Sequence, residues 1–416
     1  MRRRVVVIGA GAAGTMAAIF AAAAGAETRL VERTRDGGRK ILISGGGRCN
    51  VLPARLDESR FISDSSPNTL RKIVRAWPLA EQVAFFEQQV GIPLAEETES
   101  AKLFPVSQRA RDVRDGLLAL ARRSGASLLT EARVTGLAPR TGGGWSVTLD
   151  GAPPLECDAV IVATGGLSVP ATGSDGTGLR LLASLGHAIN PTYAALTPIT
   201  APSSPYADLA GLSLRVTLTA RDATRTAAAS GGFLFTHRGY SGPSVLNVSH
   251  VLVRAGGESS QADSARDARL RVQWAPHDAH AWETLLAPQG TRAVATVVRG
   301  ELPDRLANAL LDAAGVDPAR RLAELTREER RRLIDTLVAG ELPWHGDEGY
   351  KKAEVTGGGV ALGEIDPRTM ESRLHAGLYL CGEVLDAFGP IGGYNFLWAW
   401  VTGRAAGMGA GRAVGS

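Results

Sequence analysis

The sequence predicts an α/β fold built on a discontinuous Rossmann-like domain, interrupted by an inserted region that is first β-rich and then helical. Three observations carry this. A β-branched run, Val5-Val6-Val7-Ile8, enters Gly9-x-Gly11-x-x-Gly14; an Ala-rich helix and a second strand ending on Glu32 follow. A continuous apolar run, Asp158 to Ala163, ends on Thr164-Gly165-Gly166, as a buried parallel strand does where its carboxyl end meets a ligand. The texture changes beyond Pro191 and returns at Gly357-Gly358-Gly359-Val360. The expected boundaries are therefore 1–190 and 355–416 for the two parts of the nucleotide-binding domain. The insertion is 191–354, β-rich to about 275 and helical over about 280–340.

In the first βαβ unit each position has a physical task. Gly9 permits the tight turn, Gly11 lets backbone approach a pyrophosphate, and Gly14 lets the helix pack on the sheet. Ala10, Ala12 and Ala13 complete the loop, whose helix N-terminus offers free N–H groups to phosphates. Glu32, followed by Arg33, is placed to accept hydrogen bonds from a ribose. A carboxylate there repels a 2′-phosphate, so FAD or NAD is expected rather than NADP. The rival reading is a secretory signal peptide, since Met1-Arg-Arg-Arg precedes an apolar run ending Ala24-Gly25-Ala26. Glycines at fingerprint spacing, a strand-like segment ending in an acid, and the lack of an even set of cysteines oppose it.

At 416 residues the chain can hold two or three domains, and 44% hydrophobic with 21% charged residues is ordinary globular composition. No apolar run approaches the ~18 to 20 residues needed to span a bilayer, so a soluble, cytoplasmic protein without membrane partners is expected. Net charge is only +4, and acids are interspersed in the most basic helix, Thr326 to Leu337; a solvated surface is expected, not a nucleic-acid partner. Cys49, Cys157 and Cys381 form no C-x-x-C pair and no zinc spacing, so neither a redox disulfide nor a metal site is expected. Cys157 and Cys381 read as small core residues; Cys49 lies in a glycine loop and is open to either reading.

Taken in order, the next segment is Gly38-Arg39-Lys40, then Ser44-Gly45-Gly46-Gly47-Arg48-Cys49-Asn50. Consecutive glycines expose backbone N–H groups and suit a second approach to a phosphate or a flavin edge, with a surface loop as the plain alternative. Helices are expected over Trp77 to Gln89 and Arg109 to Ser124, strands over Ser127 to Thr130, Arg133 to Leu137 and Trp145 to Leu149, and a helix from Asp175 to about Gly186. The insertion supplies strands at Leu212 to Ala220, Gly232 to Thr236 and Leu270 to Trp274. Helices follow from Thr291, Pro303 and Thr326, the last with a capping box at Thr326-x-x-Glu329. Asp317-Pro318 marks another helix start, Ser241-Gly242-Pro243 resembles one, and Gly256 to Arg266 reads as a loop. A strand at Leu378 to Leu380 leads into Gly382-Glu383, and a final helix begins after Gly392-Gly393-Tyr394-Asn395.

Together these motifs resemble the BaiN/YhiN-type FAD-dependent oxidoreductases. The resemblance rests on Gly9 to Gly14, GRKILISGGGRCN at Gly38 to Asn50, LFPVS at Leu103 to Ser107 and ATGG at Ala163 to Gly166. FTHRGYSGP at Phe235 to Pro243, KAEVTGGGV at Lys352 to Val360 and the stretch Gly377 to Gly407 extend it over nearly the whole chain. It implies bound FAD and an inserted part that is β-barrel-like with a small helical portion. Glu32 would lie on the adenosine ribose, Val134 near adenine, and Gly382-Glu383 near the ribityl chain and pyrophosphate; related flavoproteins often have Asp where Glu383 stands. Members include reducers of conjugated double bonds in bile-acid precursors and aminoacetone oxidases, so the family leaves the substrate open.

The expected activity is reduction of an activated C=C bond of a small organic substrate through the flavin, with NADH or NADPH as a candidate electron donor. A flavin amine oxidase is the enzymatic alternative, and a flavoprotein acting on RNA a further one that no basic stripe with interleaved aromatics supports. Gly392, Gly393, Tyr394 and Asn395 would aim N–H groups at the flavin N1/C2 edge, with Arg48 adding charge there or at the pyrophosphate. Phe396, Trp398 and Trp400 are expected mainly to pack the last helix on the sheet, and His237 to be a hydrogen-bonded side chain rather than a catalyst. Glu354 and Thr356 are the candidate catalytic residues: a carboxylate to orient substrate or relay a proton, and a hydroxyl partner to flavin or substrate, with the Gly357-Gly358-Gly359 run permitting close approach to the ring. The plain alternative for Glu354 is a structural ion pair with Lys352 or an arginine. Oligomeric state is open.

Overall fold

The computed structural model describes residues 2–201, 205–256 and 268–412. Two compact units emerge: Met1–Thr192 with Glu354–Ser416, and Tyr193–Ala353.

The first unit is organised by five parallel strands. Arg4–Ile8 lies at the centre, between Ala159–Val162 on one side and Glu27–Val31 on the other; Leu378–Leu380 and Ser127–Leu129 take the outer positions. Val5, Val7 and all four residues of Ala159–Val162 are at most 1% exposed, which is why these strands read as apolar runs rather than alternations. The helix Ala12–Ala23 follows the first strand, and the helix Tyr394–Gly411 packs along it. Their approach is close enough to admit no side chain: a Cβ on Gly403, Gly407 or Gly411 would meet the carbonyl oxygens of Ala13, Ala17 and Ala21 at 2.4, 2.3 and 2.8 Å. Glycines four residues apart on one helix, against alanines on the other, thus bring two backbones together.

The segment that could pass for a leader is therefore the central strand and first helix of this unit. Trp398 and Trp400 are buried, and their indole N–H groups donate to Gly382 O and Val51 O at 3.1 and 3.0 Å, the packing role expected of them. Helices Leu79–Ala84 and Ala110–Arg123 and the antiparallel meander of Val134–Pro139, Trp145–Leu149 and Ala152–Cys157 belong to the same unit.

The second unit carries a seven-stranded antiparallel sheet around the hairpin Ser213–Arg221 and Thr226–Thr236. The helix Pro243–Gly256 packs on that hairpin, so helix enters the stretch expected to be β-rich. Helices Val294–Glu301, Asp304–Ala314 and Arg327–Ala339 follow, the last with its capping box formed: Glu329 N donates to Thr326 Oγ1, and Thr326 N to Glu329 Oε2. Asp317-Pro318 starts no helix. Asp317 Oδ1 instead accepts from Ala319 N at 2.9 Å, a local turn that an Asp-Pro pair favours as readily. The expected loop Gly256 to Arg266 lies, beyond Gly256, outside the described residues. His237 is exposed in the turn between Thr226–Thr236 and Gly239–Ser241, and no hydrogen bond to it occurs among the described residues.

Candidate active site

The three fingerprint glycines are held by three different constraints. Gly9 sits at φ +102°, and a Cβ there would lie 2.6 Å from Ala163 O. A Cβ on Gly14 would lie 1.8 Å from Gly9 O, so this position is closed by helix-on-strand packing. Gly11 has neither constraint: its φ is −75°, and a Cβ would meet nothing within 4 Å. The first helical hydrogen bond runs from Thr15 N to Gly11 O at 3.0 Å, leaving the N–H groups of Ala12, Ala13 and Gly14 ahead of the ladder. A cradle that protein does not fill, lined by orphan N–H groups at a helix N-terminus, fits the pyrophosphate of a dinucleotide. Glu32 closes the loop from the side: Oε2 accepts from Ala10 N at 2.9 Å, and Oε1 from Thr34 N and Oγ1, both at 2.8 Å. Val134, buried, opens the nearby meander.

A second cluster gathers around Glu383. Lys40 Nζ donates to Glu383 Oε2 at 2.7 Å and to Ser168 Oγ at 2.6 Å; Ser168 Oγ and Thr356 N donate to Glu383 Oε1 at 2.6 and 2.9 Å. Burial raises the Glu383 carboxyl pKa, but the Lys40 charge and these hydrogen bonds outweigh it and hold the group below the usual glutamate value. Thr356 is 1% exposed, and its Oγ1 accepts from the backbone N–H of Leu167 and Ser168 at 2.7 and 3.1 Å. Gly166 must be glycine here, since its Cβ would lie 2.4 Å from Thr356 Oγ1. Gly165 and Thr164 belong to the same turn, at the carboxyl end of the strand Ala159–Val162.

Glu354 lies immediately before the strand Val355–Val360 that carries Thr356, and its carbonyl accepts from Ser168 Oγ at 3.4 Å. Its carboxylate has no hydrogen bond or ion pair among the described residues, so the structural pairing considered for it does not form. Protein crowded around it pushes its pKa up, against the pull of Lys40 and Lys102. Solvent still reaches the side chain, so the direction of the shift survives screening while its size is reduced. Lys102, which the sequence did not single out, also approaches the start of the last helix: its Cε lies 3.9 Å from where a Gly392 Cβ would be. Its position one residue before LFPVS was the available signal. Ser168, two residues beyond ATGG, was missed in the same way.

Other expected cofactor contacts have partners within the protein. Arg48 Nη1 donates to Glu97 at 2.9 Å, and the guanidinium lies 4.1 Å from the Phe104 ring centroid. Arg33 pairs with Asp175, and Arg39 with Asp36. The Asn50 amide, oriented to satisfy both its ends, accepts from Gly393 N at 2.9 Å, while Asn395 clamps Gly389 through its N–H and its carbonyl, both at 2.9 Å. Tyr394 is buried and edges onto Phe61. Gly45, Gly46 and Gly47 all have positive φ, and Gly46 faces open space, whereas Ser44 O accepts from Cys49 N at 3.0 Å. Gly38 N donates to Ala10 O, tying this loop to the fingerprint. Cys49 is fully buried with its thiol pushed up to about 12 by burial, so the ambiguity resolves to a packed, unreactive thiol.

In the glycine run, Gly358 and Gly359 are also required by packing. A Cβ on Gly358 would lie 2.2 Å from Pro191 O, and one on Gly359 2.7 Å from Val384 O. These glycines let backbone meet backbone.

The residues thus fit FAD: Gly11 to Gly14 and Glu32 toward its adenosine and pyrophosphate half, Lys40, Ser168, Glu383 and Gly392 toward the remainder. Comparison with known proteins agrees. The family described as HI0933-like protein Rossmann domain matches residues 3–409. The chain is 33% identical over 401 residues to a ribosomal RNA dihydrouridine synthase of Escherichia coli (strain K12), covering 95% of this chain and 94% of the relative. It is 31% identical to a protein of the same description from Haemophilus influenzae (strain ATCC 51907 / DSM 11121 / KW20 / Rd), covering 97% of both. It is 30% identical to a 3-dehydro-bile acid delta(4,6)-reductase of Clostridium scindens (strain ATCC 35704 / DSM 5676 / VPI 13733 / 19), covering 98% of both. The chain belongs to the HI0933-like Rossmann-domain family, the BaiN/YhiN-type FAD-dependent oxidoreductases.

Proposed function

We propose that this oxidoreductase saturates a C=C bond conjugated to a carbonyl, drawing electrons from NADH or NADPH. The observation that carries the reading is Glu354, a carboxyl without a hydrogen-bond partner among the described residues, set beside the Lys40–Ser168–Glu383 network with its pKa raised. Bound FAD supplies hydride chemistry. Saturation also needs a proton at the carbon next to the carbonyl, and a carboxyl whose pKa is shifted upward is better suited to deliver one than a carboxyl shifted downward. Thr356 and Ser168 fix the backbone that presents Glu354, while Lys40 keeps Glu383 charged so that Glu354 is the carboxyl able to carry the proton.

Both activities named for the relatives belong to this reaction class. Uracil C5=C6 is conjugated to the C4 carbonyl, and a delta(4,6)-reductase acts on an enone system. Two of the three relatives are named for ribosomal RNA, which supports uracil within RNA as the substrate, against the small molecule expected from the sequence. A steroid enone is the second reading, favoured by the relative at 30% identity. The test is product mass. FAD-loaded protein with NADH or NADPH should add two hydrogens to uridine in ribosomal RNA or to a 4-en-3-one steroid; neither product under anaerobic turnover would refute the proposal.

A further inference from the structure

Four basic residues line one small cleft of the first unit, away from the residues that fit FAD. Lys72 comes from the helix Pro67–Val74, Arg368 from the turn before Met370, and Arg404 and Arg412 from the last helix and its end. With Thr369 and Met408 they line a cavity of about 170 Å³. Arg404 is ten residues into the helix that begins at Tyr394, about 15 Å along its axis from the candidate flavin edge.

No carboxylate lines this cleft, and no ion pair or side-chain hydrogen bond holds any of the four cationic groups among the described residues. Asp366, the nearest acid in sequence to Arg368, has Oδ1 taken by the N–H groups of Arg368 and Thr369 at 2.7 and 3.3 Å. Arg404 is held chiefly by aromatic faces, its guanidinium 5.1 Å from the Trp77 centroid and 5.5 Å from Phe20, with the Glu81 charge acting on it from outside the cleft lining and no ion pair formed among the described residues. Like charges lining one cleft repel one another, and an arriving anion relieves that repulsion. Lys72, Arg368 and Arg412 are exposed, so the cleft is open to a passing chain rather than closed around a small ion.

We propose that this cleft is a phosphate-binding site that takes the backbone of an RNA strand. The identity of the strand rests on the reading that RNA carries the reducible base; the affinity for phosphate does not. The test uses the full-length, FAD-loaded protein and a fluorescent uridine-containing ribosomal RNA fragment, with Lys72→Gln/Arg368→Gln as the variant, since both side chains are exposed and outside the candidate active site. The variant should bind the RNA at least tenfold more weakly, with a salt dependence shallower by about 1.4 at about 0.7 per lost phosphate contact. Its reduction of a free enone should be unchanged. Equal affinity and salt slope in both proteins would overturn the inference, and so would RNA bound no more tightly than inorganic phosphate displaces it. RNA binding lost in the variant without any C=C reduction by either protein would uphold the cleft and refute the reductase reading. Enone reduction without RNA binding would do the reverse.

Discussion

Thr356, in the strand Val355–Val360, and Glu354, just before it, are two residues apart and are expected to fail differently. Thr356→Val leaves the buried N–H groups of Leu167 and Ser168 without their shared acceptor, at a cost of about 1 to 3 kcal/mol, so it should lower the melting temperature whereas Thr356→Ser should not. Glu354→Gln removes no contact among the described residues and should leave stability and FAD content unchanged. It should slow reoxidation of the reduced enzyme by its organic substrate at least tenfold, about 1.4 kcal/mol in barrier, by stopped-flow absorbance. Both residues were legible as candidates from KAEVTGGGV. What the sequence could not show is that the threonine's lone pairs are already occupied, because Leu167 and Ser168 lie nearly two hundred positions away.

At the scale of elements, the fingerprint loop separates ligand room from packing. Gly14→Ala drives a Cβ into Gly9 O and should destabilise or abolish folding. Gly11→Ala meets no protein atom and should change unfolding free energy by about 1 kcal/mol or less, yet weaken FAD binding in a fluorescence titration. The helix Pro243–Gly256 offers a second check. Burial, helped by the Arg254 charge, pushes the His250 pKa down to about 4 from an ordinary 6.5. The folded state then binds fewer protons than the unfolded one between those values. Stability from this group is complete above pH 6.5 and lost as pH falls toward 4, at up to about 1.4 kcal/mol per pH unit. Denaturant melts of the wild type and His250→Asn should show the wild type with the steeper loss across that window. Strands with continuous apolar runs and the helix with a capping box were legible because their signals are local. The Gly403, Gly407 and Gly411 contact with the first helix was not, since its reason is a partner almost four hundred positions away.

For the molecule as a whole, a net charge of +4 and interspersed acids gave no sign of a basic site. Lys72, Arg368, Arg404 and Arg412 are scattered in sequence and line one cleft because the last helix, the helix Pro67–Val74 and the turn that carries Arg368 come together. The FAD fingerprint lies within one short stretch and was readable, but Lys40 and Glu383 meet across 343 positions. The most direct measurement is anaerobic. The FAD-loaded protein is reduced and mixed, in separate shots, with uridine-containing ribosomal RNA, a 4-en-3-one steroid and aminoacetone, and flavin absorbance is followed. Reoxidation by the RNA or the enone, with a saturated product and no effect of the amine, is the expected result. A reduced flavin that neither conjugated substrate reoxidises, together with bleaching of the oxidised enzyme by the amine, would contradict it.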